Sequence, residues 1–160
     1  SGVLSNKRDD SDHLKHLHAP INDIVSQWDK VVYLYGDPEK AALSLIRRDF
    51  AKENIKKLKS PHSIGDASLE TYIQLVEEHG KDLIGIEKHF NLWLGTPNTL
   101  FLDTGAIGTP EFDDAMSEHI GACFGPTAKK ERMSAGVESK VFKEVYAKLY
   151  RHMQSSVGKL

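Results

Sequence analysis

The stretch VESKVFKEVYAKLYRHM, residues 137–153, decides how the chain folds. Val137, Val141, Phe142, Val145, Tyr146, Leu149, Tyr150 and Met153 recur at intervals of three and four, which puts them on one face of an α-helix. So apolar a face is stable only when buried, so this helix closes a hydrophobic core.

Similar stripes lie upstream. Pro20 can open a helix that carries Ile21, Ile24, Val25, Trp28, Val31, Val32 and Tyr35 and ends at Gly36. Asp37-Pro38 then supplies a cap and first turn for a helix burying Ala42, Leu45, Ile46 and Phe50, running on toward Leu58 until Ser60-Pro61 stops it. Asp66 or Ser68 can cap a third helix with Leu69, Tyr72, Ile73 and Val76 inward. Leu83, Ile86, Phe90 and Trp93 carry a similar pattern to Gly95.

Residues 95–109, GTPNTLFLDTGAIGT, break the helical period and read as a structured loop with room for a short strand at Leu100, Phe101 and Leu102. Pro110 opens another helix with Phe112, Ala115, Met116, His119, Ile120 and Cys123 on one side, ended by Gly125-Pro126. Residues 1–11 are polar and unpatterned and read as a loose tail. The expectation is an all-α chain, one compact helical domain of five to seven helices over residues 12–160.

At 160 residues, with 39% hydrophobic and 28% charged residues, the chain is long enough and apolar enough to bury one core. A formal net charge of −2 argues against a dedicated nucleic-acid coat or a binder of anionic membranes. The single cysteine, Cys123, cannot form an intramolecular disulfide. That suits a reducing compartment and, with no basic-then-apolar leader and no apolar run near the roughly 18 residues of a spanning helix, gives a cytoplasmic location and no membrane as expectations.

Several short motifs carry chemistry when their surroundings cooperate. Asp103-Thr104-Gly105-Ala106 resembles the active-site signature of retroviral-type aspartic proteases. That chemistry needs two carboxylates on loops of a β-rich fold, and the helical flanks favour a plain turn in which Asp103 and Gly105 do turn chemistry. His13, His16 and His18 lie close together but lack a carboxylate or thiol that completes a metal pattern.

Arg48, Lys52, Lys56 and Lys59 share one helix face and are candidates for contacts with nucleic-acid phosphates, although a solvated face explains them better. His119 precedes Cys123 by four residues, within reach on a helix, yet Cys123 sits on the apolar side as a structural thiol does. No phosphate-cradling glycine loop, paired-histidine zinc motif or nucleophile elbow occurs. The sequence names no catalytic residue and supports a non-enzymatic role.

The stretch SLETYIQLVEEHGKDLIGIEKHF, from Ser68 to Phe90, resembles the part of globins where the proximal-histidine helix leads into the next helix. The terminal VFKEVYAKLYRHM is similar to the last globin helix, and Trp28 sits where the first globin helix often carries a tryptophan. This resemblance implies a globin-like module that binds haem, with His79 as iron ligand and Phe90 packed beside the cofactor, serving a small gas or redox sensing. A second register reads His79-Gly80-Lys81 as the distal turn and Thr109-Pro110-Glu111-Phe112 as the next helix start, leaving no histidine at the proximal position. The alternative is a cofactor-free helical domain that binds a protein partner through an apolar groove. Nucleic-acid binding through the Arg48–Lys59 face is the third reading.

Overall fold

A computed structural model of the chain describes residues 30–49, 51, 64, 67–122, 126 and 136–157. The order is β1 (Val31–Tyr35), α1 (Pro38–Arg47), α2 (Leu69–His79), α3 (Ile86–Leu94), β2 (Thr99–Asp103), a single 3-10 turn (Thr104–Ala106), α4 (Pro110–Ile120) and α5 (Lys140–Val157). The all-α expectation is therefore corrected. β1 and β2 pair as a two-stranded parallel sheet, with Val31 opposite Thr99 and Tyr35 opposite Asp103. Five α-helices accompany the pair among the described residues.

The helix expected over residues 20–35 gives way to a strand at its described end. Val31-Val32-Tyr33-Leu34-Tyr35 is a run of β-branched, aromatic and aliphatic residues, the composition strands favour, although only Tyr35 is buried and Leu34 is exposed. Such a run fits a buried strand as well as a buried helix, and helical spacing alone does not separate the two. Its hydrogen-bonding partner is far along the chain, at Thr99–Asp103 inside the segment read as a loop. Trp28 and the rest of that expected helix lie outside the described residues, as do residues 1–11.

The helix ends follow local chemistry. Asp37 caps α1, its Oδ1 accepting from the Glu39 and Lys40 amides at 3.0 and 3.4 Å. Pro38, at the first helical position, has no N–H to satisfy. Ser68 rather than Asp66 caps α2, and Gly80 ends it in the left-handed conformation. Thr109 caps α4, which stops at Gly121, short of the expected Gly125-Pro126. Asp82 anchors the start of α3: Oδ1 accepts from Ile84 N, and Oδ2 accepts from Gly85 N and Glu87 N, all at 3.0–3.1 Å.

α5 holds the core together, packing on α1, α2 and α3. Of the opening stripe, Phe142, Tyr146, Leu149 and Met153 are buried and Val145 and Tyr150 half-buried, whereas Val141 is exposed and Val137 precedes the helix. The four buried side chains meet Leu43 of α1, Tyr72 and Val76 of α2, Leu83, Ile84, Phe90 and Trp93 around α3, and Phe101 of β2 in one cluster. Within it, Tyr146 donates to Asp82 Oδ1 at 3.3 Å, leaving its oxygen free to accept from the Tyr72 hydroxyl. The chain Tyr72 to Tyr146 to Asp82 thus satisfies two buried hydroxyls with one partly exposed carboxylate.

Candidate functional site

A parallel strand pair has a chemically special end. Both strands finish at the same edge, where the loops that follow them diverge and open a crevice. Here the Tyr35–Asp103 register brings Gly36-Asp37, after β1, against Thr104-Gly105, after β2. These four residues, with Lys40 and Ala41 from the first turn of α1 and Tyr150 from α5, line a cleft of about 470 Å³.

The approach is close enough to dictate small residues. A Cβ on Gly36 would collide with Thr104 Oγ1, and one on Gly105 would lie 3.0 Å from Asp103 Oδ1. Asp103 ties the floor together. Its Oδ1 accepts from Gly105 N at 2.7 Å, while Oδ2 accepts from the Tyr150 hydroxyl at 2.6 Å and from Gln154 Nε2 at 3.3 Å. Burial pushes the Tyr150 hydroxyl well above the ordinary tyrosine range. The hydrogen bond to Asp103 and the negative charges of Asp103 and Asp37 push the same way. Tyr150 therefore stays a neutral hydroxyl near neutral pH and acts as a donor, not as a base.

On the other wall, Lys40 Nζ stands 3.6 Å from Asp37 Oδ2. The Lys40 side chain is 72% exposed, so this pair adds little stability. It does set the charge of the rim, with one cation beside one of two carboxylates.

A second cleft of about 500 Å³ lies at the opposite, amino end of the strands, lined by Lys30, Asn98, Leu100, Ala115, Glu118 and His119. His119 Nε2 donates to the Val31 carbonyl at 2.9 Å, which ties α4 to β1. Its expected neighbour Cys123 lies outside the described residues.

His79 and Phe90 are not brought round a common cavity. His79 is exposed at the C-terminal end of α2. Phe90 is fully buried and packs edge-on against Tyr33, Tyr35, Phe101 and His152. Neither residue lines either cleft. A haem needs an imidazole facing an apolar slot bounded by the packing aromatic, and an exposed His79 and a fully buried Phe90 do not form one.

Of the basic row, Arg48 caps the end of α1, while Lys52, Lys56 and Lys59 lie outside the described residues, as do His13, His16 and His18. The large exposed apolar side chains, Leu34, Leu92 and Val141, belong to β1, α3 and α5 respectively. No helix among the described residues is long and apolar enough to cross a membrane.

The cleft residues were present in the sequence under other readings. Gly36, Asp37 and Pro38 were a helix end and a cap, Asp103-Thr104-Gly105 a turn, and Tyr150 part of the apolar stripe. What the two turns share in the sequence is an apolar run followed within three residues by a glycine and an aspartate: VVYLY before Gly36-Asp37, and LFL before Asp103-Thr104-Gly105. No family model matches the chain, and no curated protein or solved structure matches it.

Proposed function

We propose that the chain is a small-ligand-binding α/β module whose ligand sits in the crevice at the carboxyl ends of β1 and β2. One observation carries this reading: the parallel register delivers two glycine-bearing turns, the start of a helix and a tyrosine hydroxyl to a single cleft of about 470 Å³. That volume falls within the roughly 300–1,000 Å³ of ordinary small-molecule sites. Ligands of open α/β sheets bind at this edge because strand ends and helix starts place backbone and short side chains there without obstruction. The module keeps the small-ligand part of the expectation and moves its site from His79 to the strand ends.

The test is an amide-resolved NMR screen of the full chain with a small-molecule fragment library. Hits should perturb Gly36, Asp37, Lys40, Thr104 and Gly105 together. An Ala41→Trp variant fills the cleft from an exposed helix position, and it should abolish those perturbations while leaving the circular dichroism spectrum intact. Hits that gather instead at Lys30, Asn98 and His119, or that survive Ala41→Trp, would defeat the proposal.

A further inference from the structure

The cleft at the amino ends of β1 and β2 differs from the carboxyl-end cleft in what its side chains have left to give. At the carboxyl ends the charged rim is already paired, Lys40 with Asp37. At the amino ends Lys30, Asn98 and Glu118 line a space of about 500 Å³, and none of their side chains has a hydrogen-bond or ion-pair partner among the described residues. An ammonium and a carboxylate thus share one cleft without pairing to each other.

Each polar group is placed by the backbone. Lys30 Nζ lies 3.5 Å from where a Cβ on Gly121 would sit, at the C-terminal end of α4, where the helix dipole favours a cation. Asn98 has a φ of 53°, in the left-handed region that asparagine enters more readily than most residues. Its carbonyl accepts from Val31 N at 3.0 Å, so the first rung of the strand pair fixes that conformation. His119 Nε2 faces the Val31 carbonyl at 2.9 Å, and a carbonyl only accepts. Nε2 therefore carries the proton, and the neutral ring keeps its lone pair at Nδ1. Leu100 and Ala115 supply an aliphatic wall.

The cleft thus holds donors from Lys30 and Asn98, acceptors from Glu118 and His119, and no net charge from its Lys30 and Glu118 pair. An anion drawn by Lys30 is repelled by Glu118, and a cation meets the reverse, so a single charge gains little. A ligand with both charges is attracted by both groups.

We propose that the amino-end cleft binds a small zwitterion, an α-amino acid with an aliphatic side chain. Its carboxylate bonds to the Lys30 ammonium and the Asn98 amide, its ammonium to the Glu118 carboxylate and His119 Nδ1, and its side chain packs on Leu100 and Ala115. This is a second site, independent of the carboxyl-end cleft.

Leucine, N-acetyl-leucine, leucinamide and glycine are titrated separately into the full chain, with the amide signals of Asn98, Ala115, Glu118 and His119 as readout. Leucine should shift them saturably. The other probes lack the ammonium, the carboxylate and the aliphatic side chain in turn, and each should bind about tenfold or more weakly, a 1.4 kcal/mol penalty. Lys30 and Glu118 are exposed, so Lys30→Gln and Glu118→Gln should leave the circular dichroism spectrum unchanged. Lys30→Gln should weaken leucine several-fold and spare leucinamide; Glu118→Gln should weaken leucine and spare N-acetyl-leucine. A blocked analogue that binds as tightly as leucine, a variant that weakens every probe alike, or no saturable shift with leucine overturns the proposal. A zwitterion seated here leaves Gly36, Asp37 and Gly105 unmoved and is indifferent to Ala41→Trp, so failure at one cleft is read separately from failure at the other.

Discussion

Replacing Tyr146 by phenylalanine should be the most damaging single-oxygen deletion in the core, and replacing Tyr72 as well should cost nothing further. Both side chains are fully buried, and their hydroxyls bond to each other. Tyr146 also donates to Asp82 Oδ1 at 3.3 Å. Tyr146→Phe removes that donor and strands the Tyr72 hydroxyl without an acceptor. A hydrogen bond to a charged group contributes about 1.5–3 kcal/mol, and a stranded buried hydroxyl costs about 1–3 kcal/mol.

The Asp82 contact is long and its carboxylate keeps three amide donors, so the low end of each range applies and the loss is about 2.5 kcal/mol. Tyr72→Phe removes one neutral bond while Tyr146 keeps Asp82, a loss of about 1 kcal/mol. The double variant loses both bonds but strands nothing, so it should lose about 2.5 kcal/mol, no more than Tyr146→Phe alone, a coupling energy near about 1 kcal/mol. Urea unfolding followed by far-ultraviolet circular dichroism reads all four proteins. Additive losses, with the double variant the least stable, would refute the donor order Tyr72 to Tyr146 to Asp82.

Three further outcomes are expected. All five tyrosines of the chain, Tyr33, Tyr35, Tyr72, Tyr146 and Tyr150, have hydroxyl pKa values raised above the ordinary value, chiefly by burial. Because the folded state favours their neutral form, the stability this confers is fully present below the unfolded value near 10 and is lost as pH rises beyond it. Absorbance at 295 nm should therefore show almost no tyrosinate at about pH 10 in the native protein and a normal titration in guanidinium; a native titration centred near 10 contradicts the packing. Gly36→Ala should cost about 1–3 kcal/mol through its collision with Thr104 Oγ1. Adding Thr104→Ala should restore most of the lost melting temperature, since Thr104 Cβ stands at an ordinary 3.6 Å. His89 accepts from Trp93 Nε1 on Nε2 at 3.3 Å, so its proton belongs on Nδ1, donated to the Tyr33 oxygen at 2.7 Å; nitrogen-15 shifts showing the opposite neutral tautomer would break that arrangement.

The fold is legible where apolar and polar residues alternate with the period of the element and opaque where a whole run is apolar. In α5 a polar face alternates with the Phe142, Tyr146, Leu149 and Met153 stripe, and that contrast states both the helix and its inward face. In β1 the contrast disappears. Tyr33 and Tyr35 pack toward Phe90, while Val32 and Leu34 are apolar on the other face, so the run has no period from which to infer a geometry. Its only local punctuation, Gly36 before Asp37-Pro38, ends a helix as readily as a strand. What resolves the ambiguity is Thr99–Asp103, a partner more than sixty residues away, and pairing at that separation leaves no mark on the window around β1.

The site inherited the same blindness, since its residues are neighbours only through that pairing. Asp103 illustrates why a motif read alone misleads. As a turn residue it needs to bond only its own loop, and it does accept from Gly105 N. Its second oxygen, however, binds Tyr150 from the terminal helix, so one carboxylate joins β2, the turn after it and α5. A plain turn is chemically right for Asp103 and topologically incomplete. Tyr150 shows the complement: its place on the apolar stripe explains the half-buried ring packed against the core, while the residue also lines the cleft and its hydroxyl, bonded to Asp103, stays neutral. A side chain with an apolar body and a polar tip serves packing and recognition at once. Sequence periodicity registers only the body.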